Sequence, residues 1–337
     1  MSSLRSFRGI SLAILTMALS PLTMLPASSR AAAQEIIRVA YAHQVHDAAL
    51  LAVEKELGSK YKLEFIKFLR YADVEVAVSR GDVQVASLGY SNAVVSSLRE
   101  PSPSYKFVVG MSRGAINLVC NKDVKVERWD DLKGKKFGVL VGGNAEIFFD
   151  DALSQHGISR RDIQTVTFTA PGPPLLQALQ NRDIECTAVY EPFAATSVAK
   201  GLTYYPPGID LAENSFRGVN GAVAVNAEFL KTHSEFVGDV VNVIVKATEY
   251  YNANKERIQM DFVKRLEFSP DVIDIASKHV ILDSSLYFAS VISASQAMSR
   301  LGFIRSVPNP DKLAAYYDYS FLTEVTGKSA DACGRAQ

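Results

Sequence analysis

The sequence has few cysteines and no excess charge of either sign, and both features narrow the range of functions. Its three cysteines, Cys120, Cys186 and Cys333, are too few to define a disulfide framework. Cys120 and Cys186 lie in apolar, strand-like runs and are expected to be small buried side chains, with a bridge between them as the alternative. The formal net charge is zero, so nothing indicates nucleic acid or an anionic membrane as a partner.

The chain also lacks a long apolar run and several common catalytic motifs. Its most apolar stretch, close to the N-terminus, is interrupted by Ser20, Pro21 and Pro26, well short of the ~20 residues that a transmembrane helix needs. It contains no P-loop and no Gly-x-Gly-x-x-Gly loop. We therefore expect a protein that does not span a membrane, binds no cofactor or metal, and is not an enzyme.

Residues 1–33 have the pattern of a secretory signal peptide. Arg5 and Arg8 precede an apolar run, and three alanines at 31–33 form a small-residue cleavage site. No cysteine lies near that site, which excludes a lipoprotein anchor. We expect cleavage near Gln34 and a mature protein in the periplasm.

A helix end, a polar turn and a short buried strand occur twice in the same order. The first copy spans residues 77–90 and the second spans 175–192, with Asp82 and Asp183 at matching positions of the two turns. The helix ends show apolar residues at helical spacing, and the strands are short and mostly apolar. The second copy stops at Pro192, which cannot continue a strand ladder.

A second matching pair makes chance similarity between strand–helix–strand units a weaker explanation. Strand, loop and helix patterns beginning at Ile37 and Lys136 keep nearly the same offset. Two pairs in one order favour two equivalent α/β lobes, each a mixed, mainly parallel sheet flanked by helices. The predicted lobe I comprises 35–115 and, after the chain returns, 221–337 with a helical tail. The predicted lobe II comprises 116–220.

Several stretches of the chain resemble one family, the nitrate/sulfonate/taurine-type solute-binding proteins of ABC transporters. They include Asp131-Leu-Lys-Gly-Lys-Lys-Phe-Gly-Val, His156-Gly157 and Tyr190-Glu-Pro, and a later one begins at Phe229 and reads Phe-Leu-Lys-Thr-His-Ser-Glu-Phe-Val. The resemblance implies a type II periplasmic-binding-protein-like fold. It also implies two lobes that close on a small ligand by hinge motion, and a membrane permease as partner. We expect a monomer.

Three loop-to-helix junctions are predicted to face one cleft, because each follows the carboxyl end of a strand. They lie at His43-Gln44, at Ser91-Asn92 and at Gly142-Gly143-Asn144. Free backbone N–H groups and positive helix ends at such junctions suit an anion such as a sulfonate or carboxylate. The alternative for the serine and asparagines is helix N-capping, and for the glycines it is turn geometry.

Other polar and aromatic residues complete the predicted site. Glu191 accepts an N–H from a ligand, pairs with a group across the hinge, or is a solvated strand end. A charged Glu191 favours a zwitterion or a heteroaromatic ring over a plain anion. His43 and His46 invite a metal interpretation, but no carboxylate trio completes a site and Asp47 fits better as a helix cap.

Tyr90 and Tyr190 either stack on a ring or pack in a wall. Arg113, beside Ser112, is a candidate anion clamp, with an exposed arginine as the alternative. Ser112 and Asn220 are the remaining polar candidates.

Two other functions remain as alternatives. Pyrimidine-precursor synthases share this architecture, so an enzyme on the same fold is one of them. The other is a receptor that passes a ligand signal to a membrane partner. The ligand of the favoured function is a sulfonate-like or taurine-like anion or a pyrimidine-like heteroaromatic compound.

Overall fold

Two mixed β-sheets flanked by helices make up the protein, as shown by a computed structural model that describes residues 35–337. The predicted fold class is confirmed. The predicted signal peptide lies outside the described residues. Within residues 35–337, no helix is both long and apolar enough to cross a membrane.

Within residues 35–337, the sheets contain eleven strands, and thirteen α-helices connect or cover them. The strands are β1 Ile36–Tyr41, β2 Lys62–Lys67, β3 Val85–Gly89, β4 Tyr105–Gly114, β5 Ile116–Asn121, β6 Lys136–Leu140, β7 Gln164–Phe168, β8 Cys186–Tyr190, β9 Thr203–Tyr204, β10 Val219–Asn226 and β11 Val280–Leu282. The helices are α1 Ala48–Leu57, α2 Tyr71–Arg80, α3 Tyr90–Arg99, α4 Asn144–Gln155, α5 Pro173–Asn181, α6 Phe193–Ala199, α7 Ala227–Leu230, α8 Ser234–Ala253, α9 Lys255–Leu266, α10 Pro270–Lys278, α11 Phe288–Arg300, α12 Pro310–Ala314 and α13 Ser320–Thr326.

The first sheet has the strand order β11-β4-β10-β3-β1-β2. In it β1 pairs in parallel with β2 and β3, whereas β10 returns antiparallel between β3 and β4. All eight residues of β10 are buried, as expected for an apolar strand covered on both faces. Its last residue, Asn226, accepts hydrogen bonds from the backbone N–H groups of Glu228 and Phe229 and so caps α7.

The second sheet has the order β7-β6-β8-β5-β9. In it β6 pairs in parallel with β7 and β8, so β8-β6-β7 repeats the arrangement β3-β1-β2 of the first sheet. The matching sequence patterns therefore occupy equivalent positions in the two sheets. The lobe boundaries themselves stay a prediction.

Cys120 and Cys186 form a disulfide between β5 and β8. The two residues are directly opposite in this antiparallel pair, with their Cα atoms 4.0 Å apart. Both side chains are buried, as expected, but they are not free. The alternative of a bridge is correct, because strand pairing across 66 residues brings them together. Cys333 is the free and buried cysteine.

The region after Phe229 is mostly helical, as predicted, but it also contains β11. This Val-Ile-Leu strand pairs antiparallel with the end of β4, between Val280 and Gly114 and between Leu282 and Ser112. Three residues are too few to show the alternation that identifies a strand in a sequence.

Candidate functional site

A cavity of about 250 Å³ lies where strand ends of the two sheets meet. The first sheet contributes the segments that follow β1, β2 and β3. The second contributes the ends of β6 and β8 and the segment that follows β7. Seven residues predicted from the sequence line the cavity: Gln44, Ser91, Asn92, Gly142, Gly143, Asn144 and Tyr190. This placement follows the general preference of α/β proteins for ligands at the carboxyl ends of parallel strands.

Three helices begin at this cavity. The residues preceding α2, α3 and α4 are Arg70, Gly89 and Gly143, and none of them makes a side-chain capping hydrogen bond. At α2 and α3 the first-turn N–H groups thus have no capping side chain, and an anion can use them. At α4 the N–H of Ala145 is already bonded to the hydroxyl of Tyr190. The N-capping alternative for Ser91, Asn92 and Asn144 is wrong, since all three lie inside the helices.

Asn144 connects the two sheets across the cleft. Its amide nitrogen donates to the backbone oxygen of Asn220 on β10 at 2.6 Å and to the Asn220 side-chain oxygen at 3.0 Å. A backbone carbonyl only accepts, so this contact orients the amide and leaves Oδ1 of Asn144 buried without a donor. A Cβ on Gly89 would lie 3.0 Å from this amide, so a larger residue there would push the Asn144 side chain.

Asp47 stabilises the loop before α1 through hydrogen bonds to its backbone. Its carboxylate accepts from the N–H groups of Ala42 and Gln44 at 3.0 and 3.2 Å, and burial raises its pKa to about 6. Asp47 occupies the N-cap position of α1, as expected, but its side chain makes no capping hydrogen bond. The loop presents Gln44 to the cavity, and its Oε1 is buried without a partner.

The two histidines point to different neighbours. His43, at a φ of 57°, stacks on Phe268 with ring centroids 5.1 Å apart, and burial lowers its pKa. His46 is fully buried with Nε2 2.7 Å from the hydroxyl of Tyr71, and burial lowers its pKa to about 3, which keeps the imidazole neutral. Neither lines the cavity. Among residues 35–337, no group of three His, Cys, Asp or Glu side chains is placed to hold a metal.

Glu191 is fully buried and is bonded to the protein. Its carboxylate accepts from the side chains of Asn117 at 3.0 Å and Tyr205 at 2.8 Å, and from the backbone N–H of Ala195 at 3.0 Å. Burial raises its pKa to about 7 despite these donors. It does not line the cavity, and it is not the solvated strand end of the alternative interpretation.

Ser112 and Arg113 also lie outside the cavity. Nε of Arg113 donates to Asp283 at 2.9 Å. Residues 110–114 read Gly-Met-Ser-Arg-Gly, which matches the Gly-x-Ser-x-Gly pattern of hydrolases. That motif requires a sharp strand-to-helix turn, whereas Ser112 is buried inside β4 and pairs with β10 and β11. The pattern is therefore a strand segment here.

Tyr90 begins α3 but packs behind the cavity. Its ring is 5.5 Å from that of Phe216, and its hydroxyl is buried without a partner. Tyr190 does line the cavity, and its hydroxyl accepts from the backbone N–H of Ala145 at 3.1 Å. The tyrosine at the end of β8 therefore supports the start of α4.

Sequence reasoning missed two of the segments that line the cavity. One follows β2 and the other follows β7, and both were open to prediction because each follows a parallel strand at its carboxyl end. Of the missed residues, Leu69 after β2 and Val141 after β6 are exposed, at 65% and 37%. The lining residues that were missed are Leu69, Arg70, Tyr71, Ala72, Leu140, Val141, Thr169, Ala170 and Pro171.

Comparison with known proteins identifies the family. Residues 62–258 match the family model described as NMT1/THI5 like. The chain belongs to the NMT1/THI5-like family. A relative from Brucella abortus, described as a binding protein, is 27% identical over 267 residues, which cover 75% of this chain and 76% of the relative.

Solved structures of solute-binding proteins share the fold of this NMT1/THI5-like protein. One is the ligand-binding component of an ABC-type import system from Staphylococcus aureus, with a TM-score of 0.74, 18% identity, and coverage of 88% of this chain and 100% of that one. Another is the alkanesulfonate-binding protein SsuA from Xanthomonas axonopodis pv. citri, with a TM-score of 0.66, 17% identity, and coverage of 86% and 100%. The resemblance seen in the sequence is confirmed, and the fold is that of periplasmic binding proteins.

Proposed function

We propose that this protein is a periplasmic solute-binding protein, a monomer that captures a small organic solute between two lobes and delivers it to the permease of an ABC importer. The observation that carries the proposal is a cavity built from strand ends of both sheets, at which three helices begin. The predicted signal peptide and the import role of the structural neighbours support it.

The cavity favours a solute that has both an anionic group and a hydrogen-bond donor. Helix N-termini stabilise the anionic group. Oε1 of Gln44 and Oδ1 of Asn144 are acceptors without donors, and each would cost roughly 1–3 kcal/mol if it stayed unpaired in the complex. A taurine-like zwitterion or a pyrimidine-like ring with N–H groups satisfies both requirements better than a bare anion does.

The lining residues favour binding over catalysis. Among the described residues, those around the cavity include no His, Cys, Asp, Glu or Lys. General acid–base catalysis draws most often on His, Asp, Glu and Lys, and Cys is a common nucleophile. The proposal therefore assigns no reaction to the cavity, in contrast to the synthase alternative.

Titration calorimetry with a matched pair of ligands tests the proposal. If the solute is a zwitterion, we expect residues 34–337 to bind taurine roughly ten- to a hundredfold more tightly than ethanesulfonate. If it is a heteroaromatic ring, we expect cytosine to bind more tightly than nitrate. In both pairs the preferred ligand has N–H donors that pair with the buried acceptors. Gln44→Leu should reduce this preference, and Gln180→Leu, an exposed control on α5, should leave it unchanged.

Two outcomes contradict the proposal. One is the absence of binding by any of the four ligands. The other is chemical conversion of a bound ligand beyond one equivalent, which would favour the synthase alternative. In a strain that lacks the permease, we expect the protein to bind the solute without transport. A signalling response in that strain would favour the receptor alternative.

A further inference from the structure

A second cavity of about 290 Å³ lies beside the first and has no role in the function proposed above. The two cavities share five lining residues, so they are neighbouring parts of one cleft: Ala72, Ser91, Asn92, Gly142 and Gly143. The second cavity continues along α3 and α4 and reaches the end of α11, where Met298 and Phe303 form part of its wall.

One face of α3 runs along both cavities. Asn92 lines both, and Val95 and Arg99 line the second, three and seven residues further along the helix. Residues at this spacing lie on one face. Because a helix rises about 1.5 Å per residue, Arg99 is roughly 10 Å along the axis from Asn92. The helix therefore presents its positive N-terminus to the first cavity and a cationic side chain to the far end of the second.

Arg99 is an exposed side chain that makes no hydrogen bond or ion pair within residues 35–337. The acidic residue in the same cavity, Glu75, is already occupied. Its carboxylate accepts from Asn92 at 2.8 Å, from Tyr105 at 3.4 Å and from the hydroxyl of Ser96. The negative charge of Glu75 disfavours an anionic group beside Asn92 and Ser96, whereas Arg99 favours an anionic group further along the helix.

The rest of the second cavity is largely apolar. Val95 and Ile147 face it from α3 and α4, and Met298 faces it from α11. Phe303 is half-buried and is held in place by the turn that ends α11, where its N–H donates to the carbonyl of Met298 at 2.8 Å and Gly302 has a φ of +84°. The Phe303 ring is thus an accessible apolar surface in the second cavity, which it lines together with Arg99.

We propose that the solute is elongated and has two polar ends. One end binds in the first cavity at the helix N-termini, an apolar or aromatic body lies against Phe303, and an anionic end pairs with Arg99. This inference rests on the proposed function of the first cavity and extends its ligand class to two-ended organic acids.

Three aromatic acids of increasing length test the inference by titration calorimetry. Benzoate reaches only the first cavity, biphenyl-4-carboxylate adds an apolar body, and biphenyl-4,4′-dicarboxylate adds a second anionic end. We expect affinity to rise at each step. Phe303→Ala should weaken both biphenyl acids roughly tenfold and leave benzoate unchanged. Arg99→Gln should weaken only the dicarboxylate, roughly two- to fivefold for a partly exposed ion pair.

The control variant is Arg80→Gln, which removes an exposed arginine at the end of α2 that lines neither cavity. If benzoate or taurine binds but the biphenyl acids do not, the inference is overturned and the proposed function stands. Equal binding of the dicarboxylate by the wild type and Arg99→Gln also overturns it. If none of these compounds and none of the four ligands above binds, the proposed function fails and the inference fails with it.

Discussion

At the scale of single residues, the structure reverses the roles that the sequence indicates for Glu191 and Asn144. Both follow a strand of the second sheet, yet the Glu191 carboxylate is engaged by three protein donors, and the Asn144 amide lies in the cavity wall. A buried carboxylate with three protein donors contributes to stability and has little left to offer a ligand. Glu191 is thus expected to matter for folding.

Replacement of Glu191 by glutamine should lower the free energy of unfolding of the ligand-free protein by about 1–3 kcal/mol. If the new NH₂ group replaces Oε2, it cannot accept from the N–H of Ala195. If it replaces Oε1, Tyr205 and Asn117 lose their acceptor. Urea denaturation measures the loss. Glu228→Gln, at a side chain that is 81% exposed, should change stability by less than about 0.5 kcal/mol. An unchanged midpoint for Glu191→Gln would contradict the structural role.

The pH dependence follows from the raised pKa of Glu191, which is about 7 compared with 4.5 for the free group. The folded state binds the extra proton, so the stabilising contribution is fully present below about pH 4.5 and is lost as the pH rises through about 7. The destabilisation caused by Glu191→Gln should therefore be largest near pH 5 and smaller at pH 8. The lowered pKa of His46 makes its own contribution to stability rise with pH. Both proteins contain His46, so this contribution cancels when the two are compared at each pH.

At the scale of secondary structure elements, the pairing of β5 with β8 is the most consequential contact of the second sheet. It joins residues 66 positions apart, and the disulfide between Cys120 and Cys186 closes a loop that contains β6, α4, β7 and α5. A covalent link across so long a loop restricts the unfolded chain considerably. The link also lies beside the strands that carry the cleft residues of this sheet.

Removal of the disulfide by the double change Cys120→Ala and Cys186→Ala should lower the free energy of unfolding by about 2–5 kcal/mol. Urea denaturation with and without dithiothreitol checks the cause. The reductant should destabilise the wild type and have no effect on the double variant, which still contains the free Cys333. If the reductant shifts both proteins equally, or neither, the assigned bridge is wrong.

At the scale of the whole molecule, a cluster around Asp151 ties segments on both sides of the cleft. Asp151 on α4 is fully buried and accepts from the backbone and hydroxyl of Ser215 at 2.8 and 2.6 Å, and from Arg300 on α11. Nearby, Phe216 packs against Tyr90 of α3 and Phe148 of α4. These contacts join helices that flank different sheets, so they stabilise the arrangement of the two sheets in this structure.

Replacement of Arg300 by glutamine should therefore weaken solute binding by about 1 kcal/mol, roughly fivefold, mostly through faster dissociation. Under the proposed function, binding and lobe closure are one equilibrium, so an ion pair that stabilises the binding arrangement acts on affinity without touching the solute. Stopped-flow dissociation of whichever ligand binds most tightly measures the effect. Arg305→Gln, an exposed position beyond α11, is the control. An unchanged dissociation rate would remove Arg300 from any role in closure.

Local sequence determined the elements and their order. Apolar periodicity, turns and Pro192 place the strands and the helices within a few residues, and the duplicated pattern around Asp82 and Asp183 anticipates equivalent positions in two sheets. It also located seven of the sixteen residues that line the cavity, five of them at the starts of α3 and α4. These features depend on neighbours in the chain, which is why they are visible in a single sequence.

Only the tertiary structure decided where the polar side chains at those strand ends point. Glu191 turns to Asn117, and His46 turns to Tyr71, both distant in the chain. Cys120 meets Cys186 because two strands pair antiparallel in one register. A side chain at a strand end can face the cleft or the protein, and a buried polar group takes the orientation in which its hydrogen bonds are satisfied. The partners come from other parts of the chain, so the spacing of residues along the sequence carries no record of that choice.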